Sequence, residues 1–128
     1  MGMISGLADK RKSKLSEYIA AELPETGAID AMLPMVQTGN PRMNRGVAFY
    51  GMALSGDSLV IATYPKMVEQ PDGIEVVYPR ADVTVEKWKP KMVSSKLEIG
   101  TPDGTFKVDV PRMHREDGEA FVAALGDD

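Results

Sequence analysis

Cysteine is absent from this chain, which removes disulfides, thiolate nucleophiles and thiolate metal sites. His114 is the single histidine, so a His-rich metal site is excluded and a Ser-His-Asp arrangement would depend on that one residue. It lies between Met113 and Arg115, and the sequence shows no obvious partner for it. We therefore predict that His114 is a surface residue and not a catalytic one.

Three aspartates, Asp57, Asp72 and Asp103, each stand next to a glycine. Aspartate is favoured in such turns because its short side chain hydrogen-bonds the local backbone. The sequence contains no calcium-loop pattern, no P-loop and no Gly-rich phosphate motif. We predict that these residues shape turns, and that the protein is not an enzyme and takes no metal and no cofactor.

Two groups of basic residues could bind an anion or an anionic lipid. Arginine is suited to this role because its guanidinium makes paired hydrogen bonds to carboxylate and phosphate. The alternative is a solvated helix start for the first group and a solvated loop for the second. The candidate residues are Lys10, Arg11, Lys12 and Lys14 in the first group, and Arg42 and Arg45 in the second.

A third basic stretch places an aromatic residue among lysines. Its members are Lys87, Trp88, Lys89 and Lys91. An aromatic among lysines is the composition of a single-stranded nucleic-acid platform, but the net charge of -4 argues against that partner. We predict no nucleic-acid partner and treat these four residues as a candidate protein-interaction surface. The alternative is that Trp88 packs on the protein surface while the lysines protect a strand edge from pairing.

The segment Leu23 to Gly27 reads LPETG, which has the form that sortase transpeptidases recognise. A sorting signal lies near the C-terminus, ahead of an apolar stretch and a basic tail, whereas most of this chain follows the motif. Pro24 disfavours helix at Leu23, and Gly27 permits unusual backbone dihedrals. The segment therefore predicts a joint between an N-terminal helix, over about residues 7–22, and the remainder of the chain.

After this joint the apolar pattern is typical of strands separated by turns. The predicted strands are residues 28–37, 47–54, 59–64, 74–78, 83–88, one that begins near 97, and 106–110. Pro34 predicts that the first of these is an edge strand or a bent strand. Residues 47–54 are apolar on both faces. Short turns at 55–58 and 101–104 indicate hairpins, and Phe121 and Leu125 mark a short amphipathic helix that Gly126 ends.

Several stretches together resemble small bacterial pleckstrin-homology (PH)-like domains. GVAFYGMALSGDSLVIATYP is similar to their strand hairpin, and YPRADVTVEKW to the strand after their middle loop. KLEIGTPDGTFKVDVP followed by EDGEAFVAAL resembles their last hairpin and closing helix. The resemblance covers residues 28–125 and implies a seven-stranded antiparallel barrel or sandwich with a C-terminal capping helix. It also implies a scaffold that binds lipids, peptides or proteins, in which Arg42 and Arg45 would occupy the phosphate-binding loop.

We therefore expect a mainly β chain with flanking helices (α+β). Residues 1–27 would form the N-terminal helix and linker, and residues 28–128 the PH-like β-barrel domain. The expected function is a non-enzymatic interaction module that binds a protein partner or self-associates into a homo-oligomer. The alternatives are a structural subunit of a larger assembly, such as a phage particle, and peripheral binding of anionic lipid. We expect a soluble, cytoplasmic protein, or a virion component if it is phage-encoded.

Overall fold

A computed structural model describes residues 3–39, 47–65 and 70–126 of the chain. In these ranges the helices are α1 (Met3–Glu22) and α2 (Arg115–Gly126). The strands are β1 (Ile29–Gly39), β2 (Val47–Ser55), β3 (Ser58–Tyr64), β4 (Gly73–Pro79), β5 (Thr84–Lys89), β6 (Ser94–Thr101) and β7 (Gly104–Pro111). The expectation of a mainly β chain with seven antiparallel strands, one N-terminal helix and one C-terminal helix is confirmed.

The seven strands form one sheet in the order β4-β3-β2-β1-β7-β6-β5. Strand β1 is therefore central, and the prediction that it is an edge strand is wrong. Its register against β2 shifts between Leu33 and Val36, and Pro34 lies inside that irregularity. Proline has no N–H to donate to a ladder, so a bulge is where an inner strand can accommodate it. The alternative prediction of a bent strand agrees with this geometry.

Both predicted hairpin turns are present. Gly56 adopts a positive φ of 61° between β2 and β3, and Gly104 adopts 115° at the start of β7. Positive φ is inexpensive only for glycine, which explains why the Gly-containing turns set these two registers. In the second hairpin Thr101 pairs directly with Gly104, so the turn between them contains two residues.

One hydrophobic core joins the two halves of the sheet. It contains Leu33, Val36, Met52, Leu54, Leu59, Ile61, Val83, Leu97, Ile99, Val108, Val110, Phe121 and Leu125. The sheet curls around this core, because the Tyr78 hydroxyl of edge strand β4 donates to Asp103 Oδ2 in the β6–β7 turn at 2.7 Å. Helix α2 covers the core with Phe121 and Leu125, which confirms the predicted apolar stripe. A Cβ at Gly118 would lie 2.8 Å from Trp88 Cη2, so the small residue lets α2 approach β5 closely.

Helix α1 packs on the opposite face of β2 and β3. Its Leu15 and Ile19 are fully buried against Ala53, Val60 and Ala62. We call these three sheet residues, together with Gly51, the α1 seat. A Cβ at position 51 would lie 3.0 Å from Leu15 Cδ2, so the seat is close-fitting. The N-terminal helix thus folds onto its own sheet.

Helix α1 begins at Met3, about one turn before the predicted start at residue 7. The basic residues at 10–14 consequently lie in its middle and not in its first turn. Basic residues in a first helical turn would be repelled by the positive end of the helix dipole, but this effect is confined to the terminal turn and does not apply here. The interpretation of this group as a frayed, solvated helix start is wrong.

The joint at LPETG is confirmed. Residues Pro24–Thr26 form one 3-10 turn, and Gly27 follows with a positive φ of 88°. Thr26 Oγ1 donates to the Leu23 carbonyl at 2.9 Å, and Ser55 Oγ donates to the Gly27 carbonyl at 3.0 Å. The second contact fixes the joint to the turn between β2 and β3, so the chain enters β1 with a defined direction.

Candidate functional site

A buried polar cluster lies where α1, α2 and the end of β7 meet. Helix α1 contributes Arg11 and Lys12, and the first turn of α2 contributes Asp117. The 3-10 turn between β7 and α2 contributes His114, whose side chain is fully buried. The prediction of a surface histidine is therefore wrong. The sequence could not reveal this, because Arg11 and His114 are 103 residues apart.

The hydrogen bonds of this cluster determine the state of the imidazole. Arg11 Nη1 lies 3.0 Å from His114 Nε2, and His114 Nδ1 lies 3.3 Å from Asp117 Oδ2. A guanidinium can only donate, so Nε2 must accept and the ring proton is on Nδ1, from which it is donated to the carboxylate. Lys12 Nζ donates to the other oxygen of Asp117 at 3.0 Å.

Asp117 is held ionised by its neighbours. Burial by itself would raise the pKa of this carboxyl group. The hydrogen bonds from His114 and Lys12, together with the positive charge of Lys12, outweigh burial and lower its pKa below the usual value. The carboxylate thus completes a chain of alternating donors and acceptors that runs from α1 to α2.

His114 and Asp117 resemble the histidine and aspartate of a catalytic triad, in which the carboxylate orients the base. Their geometry does not allow the histidine to act as a base on a substrate. A general base must present a lone pair to its substrate, whereas Nε2 of the buried ring accepts from Arg11. Arg11 Nη1 also lies 3.5 Å from Met113 Sδ, which closes the cluster further. In the described ranges, no group of three or more His, Cys, Asp or Glu side chains could hold a metal ion. We interpret the cluster as a tether between the two helices.

The four residues of α1 that were predicted to bind an anion do not form one outward patch. Arg11 is only 6% exposed, and Arg11 and Lys12 are directed at His114 and Asp117. Of the other two helix residues, Lys10 is exposed and Lys14 is half-buried. Arg42 and Arg45 lie outside the described residues.

The structure separates Trp88 from the lysines around it. Trp88 is half-buried, packs on the core and lies against Gly118 of α2, which agrees with the packing alternative. Lys87 and Lys89 are exposed and alternate with it, so they lie on the opposite face of β5. Lys91 is exposed in the loop that follows.

The outer face of β5, β6 and β7 is charged and open. In register across the three strands, Lys87 lies opposite Glu98, which lies opposite Lys107. In the next row Lys96 lies opposite Asp109, and the two form a salt bridge at 2.5 Å. A shallow depression of about 190 Å³ crosses this face between β6, β7 and β1. We call the outer face of β5, β6 and β7, with Lys87, Lys96, Glu98, Lys107 and Asp109, the charged face.

The loop between β5 and β6 exposes two apolar side chains at the end of the charged face. Met92 is 78% exposed and Val93 is 81% exposed. The Lys91 backbone N–H donates to Ser95 Oγ at 3.1 Å, and Ser95 is buried, so this hydrogen bond closes the loop. Sequence reasoning did not select Val93. The sequence did contain a signal for it, because Met92 and Val93 form an apolar pair that follows Pro90 and lies between Lys91 and Lys96.

Arg80 is a second residue that sequence reasoning missed. Its Nη1 donates to Asp30 Oδ2 at 2.7 Å and to the Gly56 carbonyl at 3.2 Å. Its Nη2 donates to the Ala124 carbonyl at 3.0 Å, near the C-terminus of α2, where carbonyls lack helical partners. Arg80 therefore joins β1, the β2–β3 turn and α2. Its role is structural, because these contacts engage the guanidinium within the fold.

No family model matches the chain, and no curated protein or solved structure is significantly similar to it. Among the described helices, none is long and apolar enough to cross a membrane. Any functional assignment therefore depends on the geometry of the chain itself.

Proposed function

We propose that the protein is a non-enzymatic interaction module that binds a protein partner or a second copy of itself. The observation that carries the proposal is the contrast between two surfaces. Helix α1 occupies the outer face of β2 and β3, whereas the charged face and the loop beside it are exposed. Two neighbouring apolar side chains at 78% and 81% exposure mark a surface suited to a partner.

The buried cluster supports a non-enzymatic role. A His–Asp pair is the feature of this chain that most resembles catalytic machinery. Its geometry is accounted for by the attachment of α1 to α2, since Arg11 occupies the nitrogen that would act as base. Buried polar groups that hydrogen-bond one another stabilise a fold without needing a substrate.

The scaffold we propose is PH-like. Three features support this: seven antiparallel strands, a sheet curled around one core, and a C-terminal helix that covers that core. A scaffold of this kind presents loops and sheet faces for binding, which agrees with the proposed role. Anionic-lipid binding through residues 10–14 has less support, because Arg11 and Lys12 are engaged within the fold.

Site-specific photocrosslinking in the native host tests the proposal. A photoreactive amino acid is placed in turn at Val93 in the β5–β6 loop, at Val77 on β4 and at the exposed Ala20 of α1. We expect a discrete protein adduct, either with another protein or with a second copy, from at least one position. If all three positions give no adduct and light scattering shows a monomer at every concentration, the proposed function is wrong.

A further inference from the structure

The apolar pair Met92 and Val93 lies in a loop that one hydrogen bond closes. The Lys91 backbone N–H donates to the buried hydroxyl of Ser95, and the two apolar side chains between these residues are exposed. In the described ranges, Val77 is the other large apolar side chain that is exposed, at 40%, and it lies on β4. The strongest apolar exposure of the described chain is therefore concentrated at one loop.

Lysines surround this pair. Lys87 and Lys89 lie on one face of β5, about 7 Å apart along the strand, and Lys91 lies next to the pair. No ion pair within the described part of the chain involves any of these three lysines. Residues 87–95 contain three lysines and no acidic residue, on a chain whose net charge is -4. This end of the molecule is thus locally positive.

We propose that this loop surface, formed by Lys87, Lys89, Lys91, Met92 and Val93, binds an acidic protein surface that has an apolar recess. The lysines would meet carboxylates at the rim of the contact, and Met92 and Val93 would fill the recess. Exposed charges at the rim of a contact determine which partner is selected and how fast it associates. Buried apolar side chains at the centre slow its dissociation. The inference rests on the proposed function and specifies the chemistry of the partner.

Two other occupants fit the charges less well. A two-fold contact whose axis passes through this loop would place the loop surface against itself, with lysines facing lysines. A uniformly anionic lipid surface would meet Glu98 and Asp109, which lie among lysines on the adjoining charged face. A protein can place its acids opposite the lysines alone, so an acidic protein is the better match.

The test uses the full chain with Val93→Cys carrying an environment-sensitive fluorophore, which labels one site because the natural sequence has no cysteine. The probes are a glutamate–tyrosine copolymer, polyglutamate, and phosphatidylserine vesicles. We expect the copolymer to shift the emission in a salt-dependent way and to bind more tightly than polyglutamate. In this labelled background, Lys89→Glu should weaken copolymer binding by about tenfold or more. The matched control Lys107→Glu, another exposed strand lysine with the same charge change, should have a much smaller effect.

Any one of several results with the probes would overturn the inference. These are no response to the copolymer, equal losses in both variants, equal binding of polyglutamate, and a response to vesicles alone. A shift that grows with protein concentration without any probe would identify a second copy as the occupant and would also contradict it. Thermal unfolding of each variant excludes misfolding as the cause. If the inference fails while crosslinks form at Val77 or Ala20, the proposed function stands and its binding surface lies elsewhere.

Discussion

The outer face of the sheet has two halves that differ in composition and in cover. On β2 and β3 the side chains are small or apolar, and α1 packs on them through Leu15 and Ile19. On β5 to β7 the outward residues are lysine, glutamate and aspartate, and they are exposed or half-exposed. Both halves share one inner core, so this difference concerns only the outer surface.

The difference shows what a helix requires of the sheet beneath it. Gly51, Ala53 and Ala62 leave room for the α1 backbone to come close, so that Leu15 reaches full burial. The charged face could not accept such a helix without the desolvation of several charges, each of which is expensive to bury. The covered half therefore contributes to stability, and the open half is available for binding.

The largest expected effect comes from a charge placed in the covered half. Ala62→Glu would bury an unpaired carboxylate under α1 and should lower the free energy of unfolding by about 3–5 kcal/mol, or displace the helix. Ala48→Glu is the matched control, because Ala48 lies on the neighbouring strand β2 and is exposed. Urea unfolding should show a change within about 0.5 kcal/mol for the control. Equal effects at the two sites would contradict the distinction between covered and open surface.

A smaller loss is expected when the helix loses its main apolar contact. Leu15→Ala removes a fully buried side chain and should cost about 2–4 kcal/mol, because the close-packed seat cannot collapse completely into the cavity. Glu17→Ala, at an exposed position of the same helix, is the control. Hydrogen exchange should show faster exchange in α1 for the first variant only. A Leu15→Ala cost no larger than that of the control would show that α1 is held by other contacts.

Local sequence predicted the elements whose determinants lie close together in the chain. The Asp103-Gly104 turn and the stripe of Phe121 and Leu125 each fall within a few residues, and both were confirmed. Residues 47–54 are apolar on both faces, and in the structure residues 51–55 of β2 are buried. The pattern did not identify what covers the outer side, because an amphipathic stripe specifies a buried face and not its partner.

The buried cluster was missed for a related reason. Lys12 and Asp117 are 105 residues apart, and each belongs to an ordinary charged stretch of sequence. A lone histidine between Met113 and Arg115 gives no indication of an arginine that approaches from the N-terminal helix. Long-range polar contacts have no periodicity, so they become visible only once the packing of α1 places the groups together.

A third prediction concerns how the cluster holds α1 at different pH values. The pKa of Asp117 is lowered in the folded state, so its ionised form stabilises the fold at neutral pH. This contribution is lost as the pH falls below about 4, where the carboxyl group of the unfolded chain, and then that of the folded chain, takes up a proton.

Asp117→Asn should cost about 1–3 kcal/mol at pH 7 and should reduce the loss of stability between pH 7 and pH 3. Glu116→Gln, an exposed acid in the same turn, is the control in urea titrations. An unchanged pH profile in Asp117→Asn would show that this carboxylate does not carry the acid sensitivity.

The smallest expected effect belongs to the charged face. Lys96→Ala removes a salt bridge to Asp109 whose side chains are 45% and 28% exposed, and it should change the free energy of unfolding by less than about 1 kcal/mol. Water and salt already screen this pair, so the difference from the natural chain should decrease further in 1 M salt, where the Debye length is about 3 Å. Chemical unfolding at low and high salt measures both values. A loss as large as that of Leu15→Ala would mean that the charged face holds the fold together as firmly as the α1 seat does. In that case the argument that this half is open for binding would fail, because a partner would have to compete with contacts that the fold itself requires.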